Sequence, residues 1–155
     1  MNFGGTDQMI ELRSAKKVIT HDLTGNKNGY LIELGKDQRF TTSYLSTVSP
    51  GGFKGYHAHI VREANYICIR GRIKIVLVVK TATDRVDVQE FVLDNENPQR
   101  LHIPTHVPTG LVNESKDEEA WIVNIPNPPY DPDLKGEQLD FTLESAITWA
   151  MENGR

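Results

Sequence analysis

Gly51-Gly52-Phe53-Lys54-Gly55-Tyr56-His57-Ala58-His59-Ile60-Val61-Arg62-Glu63-Ala64-Asn65-Tyr66-Ile67-Cys68-Ile69-Arg70-Gly71 is the stretch on which the fold turns. His57-x-His59-x-x-x-Glu63 stands at its centre. In an extended chain, residues two apart share a face, so His57, His59, Val61 and Glu63 are expected to point the same way. Two imidazoles and a carboxylate on one strand face are costly to bury without partners. The pattern therefore reads as a site rather than as packing.

The strongest β signal follows directly. Residues 65–70 and 72–80 are rich in Ile, Val and Tyr and join across Gly71, read as a hairpin glycine. In the second run Ile73, Ile75, Leu77 and Val79 share one parity and are expected to face a core. Further short strands are expected over 18–20, 30–34, 40–48, 84–93, 100–103, 110–113 and 120–125, with a turn over 22–29. Such a run of short strands belongs to an all-β sandwich or barrel. Residues 126–132 hold four prolines, which lack N–H donors, so an ordered loop or lid is expected there. The period then changes. Leu143, Ala146, Ile147, Ala150 and Met151 form a helical stripe over about 142–152, with Gly154 as a stop, and read as core cover. Residues 1–16 carry little signal and are expected to form a loose N-terminal segment ahead of a single domain over 17–155.

The chain has 155 residues, enough for one domain with a real core. Its net charge of −4 and scattered Lys and Arg argue against nucleic acid as a partner. Cys68 is the only cysteine, so no intrachain disulfide forms and a reducing compartment fits. It reads as a small buried filler. No stretch approaches the ~20 apolar residues of a membrane span or carries a signal-peptide core. A cytoplasmic protein is expected.

The histidine stretch resembles the first motif of the cupin superfamily, one residue longer before its last glycine. The second cupin motif, Pro-x-Gly-x-x-His-x-x-x-Asn, is matched in frame by Pro104-Thr105-His106-Val107-Pro108-Thr109-Gly110-Leu111-Val112-Asn113. His106 stands where the glycine is expected and Thr109 where the histidine is expected. Metal cupins use both first-motif histidines, the glutamate and the second-motif histidine as ligands. Here the fourth is missing, and on a strand His106 is displaced from that place by roughly 10 Å, onto the opposite face. A divalent metal on His57, His59 and Glu63 remains the alternative reading, since three ligands and water can hold zinc or iron.

Lys54-Gly55-Tyr56-His57-Ala58-His59 is similar to the Arg-Gly-x-His-Ala-His of the TDP-sugar 3,4-ketoisomerases, with Lys54 keeping the charge but losing the bidentate fork. Tyr130-Asp131-Pro132 resembles a segment of the dTDP-4-dehydrorhamnose 3,5-epimerases. These resemblances imply a cupin-type antiparallel β-barrel, or jelly roll, with a short C-terminal helix. They also imply a homodimer and a cofactor-free isomerase or epimerase of a nucleotide-diphosphate-linked 4-keto-6-deoxy sugar. His57 is expected as the base, His59 as second base or proton carrier, and Tyr44 as the acid an epimerase needs. Tyr130 is the reserve. Lys54 would stabilise the enediolate, and Arg62, Arg70 or Arg72 would meet the diphosphate. Glu63 would orient an imidazole, and His106 stands at the pocket rim. Tyr44 reads equally as a barrel-wall aromatic, Tyr66 reads as one rather than as a site residue, His102 as a surface-facing strand residue, and Trp121 and Trp149 as core or dimer-contact residues.

Overall fold

The computed structural model describes residues 10–21, 24–32, 34, 42–129 and 131–155. Its elements are β1 (Glu11–Ser14), β2 (Lys17–His21), β3 (Lys27–Ile32), β4 (Tyr44–Val48), β5 (Phe53–His59), β6 (Ala64–Arg70), β7 (Arg72–Lys80), β8 (Val86–Asp94), β9 (Gln99–Ile103), β10 (Thr109–Val112), β11 (Ala120–Asn124), β12 (Gln138–Asp140) and α1 (Leu143–Asn153). One sheet runs β1-β9-β6-β11-β4 and the other β12-β5-β10-β7-β8, while β2 and β3 pair as a separate hairpin. Every pairing is antiparallel. This is the cupin-type antiparallel barrel with a C-terminal helix.

The parity read for residues 72–80 holds. Ile73, Ile75 and Leu77 are fully buried and meet Cys68, Leu101 and Ile122 from the facing sheet. Each such aliphatic side chain contributes about 1.5–3 kcal/mol by leaving water. The other parity of β7 is covered as well, because Val78 packs under Ala146 and Ala150 of α1. Gly71 is not a hairpin turn. It is a corner where the chain leaves one sheet for the other, with φ of +70° and Glu119 O only 3.0 Å from where a Cβ would stand.

Two further expectations change. Residues 11–14, expected within a loose segment, pair along β9 from Glu11↔His102 to Ser14↔Gln99. Leu12 falls opposite Leu101 there, so the strand extends an existing ladder even though its own side chains stay exposed. The helical stripe of α1 also divides. Ala146 and Ala150 are buried, whereas Leu143, Ile147 and Met151 are exposed, because a small-residue face lets the helix lie close on β7 and turns the larger side chains outward. The helix starts on a capping box between Thr142 and Ser145. Among the described residues, no helix is long and apolar enough to cross a membrane.

Candidate active site

Gly55 is why β5 carries its histidines so close to β10. It sits at φ +133°, and a Cβ there would come within 2.6 Å of Thr109 O. His57 is thereby the register partner of Thr109. His57, His59 and Thr109 form one wall of a small cavity of about 30 Å³. Tyr66 and Ala64 of β6 and Ile103 of β9 form the facing wall, and Arg62, Pro104 and Val107 complete it. The Thr109 hydroxyl donates to Val107 O at 3.0 Å, tying down the position where a metal cupin carries its last histidine.

The carboxylates beside the histidines come from a strand with no clear signal in the sequence. β12 lies along β5 in the register Gln138↔His59, Leu139↔Ala58 and Asp140↔His57. Asp140 Oδ1 stands 2.5 Å from His57 Nδ1. The Gln138 amide first, and then His57, hold the Asp140 carboxyl below its ordinary value. An ionised carboxylate accepts the Nδ1 proton, which leaves Nε2 of His57 as the basic nitrogen.

His59 is held differently. Its Nδ1 lies 3.2 Å from the Arg62 guanidinium and 3.3 Å from the Glu137 carboxylate. Glu137 is buried and accepts from the Arg62 backbone N–H at 3.0 Å and from Arg62 Nε at 2.9 Å. Burial alone would raise Glu137, but the Arg62 backbone N–H, His59 and the guanidinium outweigh it and hold the carboxyl below its usual range. Burial and then the Arg62 charge lower the His59 pKa against the pull of Glu137, so His59 is neutral at neutral pH. A guanidinium only donates and a carboxylate only accepts, so Nδ1 accepts from Arg62 when the His59 proton is on Nε2 and donates to Glu137 when it is on Nδ1. His57 thus rests against one carboxylate, whereas His59 shares its Nδ1 between a guanidinium and a carboxylate.

Of the expected site residues, the structure brings His57, His59 and Arg62 together. Glu63 is not with them. The strand ends at His59, and Glu63 pairs its backbone with Asn127 while its carboxylate meets His102 Nε2 at 3.0 Å. His102 is therefore a partly buried partner of Glu63 rather than a free surface residue. Lys54 donates to Ser46 Oγ at 3.0 Å and does not line the cavity. Tyr44 is exposed on β4, in register with Asn124, itself in register with Tyr66; it therefore shares the inner face but does not line the cavity. Arg70 lies over Trp121 at 5.0 Å, and Arg72 stands at the Gly71 corner beside Lys74 and Glu114, so both are removed from the histidines. His106 does not face the rim. A left-handed backbone, φ 65°, turns its ring onto Trp149. Tyr130 lies outside the described residues.

Tyr66, Glu137 and Asp140 are the residues that sequence reasoning missed. Tyr66 is half-buried across the cavity from the histidines, and burial raises its phenol pKa, with Arg62 opposing, so it keeps its proton. The signal available for β12 was only the brief polar–apolar alternation of Gln138-Leu139-Asp140. The metal alternative does not fit the donors present, since Glu63 is held by His102. Among the described residues no three His, Cys, Asp or Glu side chains group as a metal site.

A cupin-type barrel with a carboxylate-braced histidine pair on its inner wall is the class these observations define. The family model FdtA, WxcM-like C-terminal, matches residues 9–134, and the chain belongs to that family. The matched segment stops short of Glu137 and Asp140. No curated protein matches the sequence. Among solved structures the chain is similar to a dTDP sugar isomerase from Desulfovibrio desulfuricans G20, with a TM-score of 0.75 and 17% identity over 94% of this chain and 92% of that one. It is also similar to the sugar 3,4-ketoisomerase QdtA from Thermoanaerobacterium thermosaccharolyticum, solved with TDP, at 0.67 and 18% over 92% and 95%. A third is NovW, a 4-keto-6-deoxy sugar epimerase from Streptomyces spheroides, at 0.65 and 17% over 90% and 71%. At these identities the likeness establishes the shared fold.

Proposed function

We propose that this protein is a metal-independent isomerase of a nucleotide-linked 4-keto-6-deoxy sugar, moving the carbonyl between C4 and C3. The observation that carries the reading is the His57–Asp140 contact at 2.5 Å on the same cavity wall as His59. The 4-ketone acidifies the C3 proton, and Nε2 of His57 takes it, leaving the positive imidazolium beside the Asp140 carboxylate. The O3 proton passes to O4 in the enediolate, and the proton taken up by His57 is returned at C4 with His59 as its carrier, so both imidazoles end neutral as they began. Atoms and charge balance without an oxidant. Arg62 is the cation at the cavity wall and stabilises the enediolate oxygens. A cavity of about 30 Å³ holds roughly two water-sized groups, so it takes the C3–C4 end of the sugar and leaves the diphosphate and base across the mouth.

A second reading rests on Tyr66. Its phenol faces the histidines from the opposite sheet and is kept protonated by burial, which is the placement an epimerase needs to return a proton to the other ring face. NMR of a panel of 4-keto-6-deoxy sugar nucleotides in deuterated water separates the two. Label at C3 or C4 with a shifted carbonyl indicates the ketoisomerase; label at C3 and C5 with the carbonyl unmoved indicates the epimerase. Binding without exchange for every sugar would defeat both and leave a binding module. His57→Asn is expected to lower exchange by about 1,000-fold, the scale of a lost general base. Full turnover in that variant would remove His57 from the mechanism.

A further inference from the structure

Trp149 lies on α1, off the cavity, yet it touches both segments that brace the histidines. Its indole stacks on the His106 imidazole, with ring centres 5.9 Å apart and planes 14° from parallel. It also meets the Phe141 ring at 5.3 Å and 42°. His106 belongs to the turn that forms the cavity floor. Its backbone N–H donates to the His59 carbonyl at 2.8 Å, and Pro104 and Val107 beside it line the cavity. Phe141 directly follows Asp140 and exchanges backbone hydrogen bonds of 2.8 and 3.2 Å with Tyr56, the neighbour of His57. One indole therefore rests against the turn bonded to His59 and against the strand end that carries the carboxylate of His57.

The backbone of His106 indicates what the stack does. A φ of 65° is uncommon for any residue with a side chain, although histidine adopts it more readily than most, so contacts that hold this ring also hold the turn. Its ring is buried, with Thr105 Oγ1 at 3.0 Å from Nδ1 as its polar partner and Trp149 across its face. Elsewhere α1 meets the sheet through the small side chains of Ala146 and Ala150.

We propose that Trp149 is a positioning residue for the proton transfer, clamping the His106 turn and the end of β12 so that His59 and the His57–Asp140 pair keep their mutual placement. The proposal rests on reading His57 and His59 as the proton-transfer pair. Its test compares Trp149→Ala, Trp149→Phe and His106→Asn, the last keeping a residue that tolerates the left-handed backbone while removing the stacked ring. Leu93→Ala, a fully buried core change on β8, controls for lost stability. Two readouts are taken where each variant is folded: steady-state kinetics, and the ring carbon–proton NMR signals of His57 and His59 without substrate. Trp149→Ala and His106→Asn are expected to lower kcat about 10- to 100-fold, with KM within about twofold. They should also move both histidine signals, while Trp149→Phe restores most of each readout. Leu93→Ala should melt earlier yet keep kcat and both signals. Unmoved signals in Trp149→Ala and His106→Asn overturn the clamp whatever the activity, as does a loss of kcat that Leu93→Ala reproduces. Signals that move in a protein turning over no keto sugar support the clamp and place the failure on the proposed reaction.

Discussion

Two carboxylate sources compete for the histidines of β5, and the nearer one in sequence is not the one used. Glu63, four residues after His59, sits past the strand end and bonds to His102. Glu137 and Asp140 come from far down the chain and stand beside His59 and His57 through the β12–β5 register. The alternation that places residues two apart on one face lasts only as long as the strand does. Cross-strand pairing decides the neighbours once it ends.

Asp140→Asn breaks the contrast most sharply. Replacing an acceptor-only carboxylate by an amide that can also donate removes the charge that fixes the His57 tautomer, and this is expected to lower kcat roughly 100-fold, read from initial rates, with the fold intact by circular dichroism. A rate within a few-fold of the parent would return the orienting role to some other group.

Glu137→Gln comes next, mainly through stability. It leaves the Arg62 guanidinium partly buried without its carboxylate, at a cost of about 3 kcal/mol in urea unfolding. Kinetically a drop of about tenfold is expected as the Arg62–His59 geometry loosens.

The sign of the acid response follows from the lowered pKa of Glu137. Its contribution is fully present above the ordinary carboxylate value of 4.5 and is lost as pH falls below that toward the depressed folded value. His59, lowered from 6.5, adds to the same trend, since the unfolded chain takes up its proton first as pH falls below 6.5. Stability of the parent should therefore decline from pH 6.5 downward. Urea midpoints at stepped pH should show a shallower decline below 4.5 in Glu137→Gln. Equal slopes in parent and variant would mean that Glu137 titrates normally.

Glu63→Gln should do least. A hydrogen-bonded contact this close to the surface contributes no more than about 1 kcal/mol, and kcat is expected to stay within about twofold because Glu63 does not line the cavity. A loss as large as that of Asp140→Asn would reverse the comparison and bring Glu63 back to the histidines.

The barrel was legible because its signals are local. The alternation of Ile73, Ile75 and Leu77 is a property of one strand, and the resemblance carried by His57-x-His59 lies within one stretch. Legibility failed where a long-range contact or a special backbone decides the outcome. Three residues are too few for β12 to show a period, and its pairing with β5 is invisible until the sheet is assembled. An extended chain would put His106 on the opposite face, whereas its left-handed φ points the ring to α1. Tyr66 could be read only as a wall aromatic, since its view of the cavity depends on the opposite sheet. Arg70 and Arg72 share the charge of Arg62 but belong to the other end of β6 and its corner.

The distance along the chain between the two halves of the site sets an order of events during synthesis. His57 and Asp140 are 83 residues apart. At roughly 5–20 residues per second, several seconds pass between them at the ribosome. Strands β6 to β11 are all made in that interval, so the barrel walls can close around a histidine that still has no carboxylate. Reactivity toward the proton is then a late acquisition of the nascent chain, arriving with residues 137–140 after the container for it has been built.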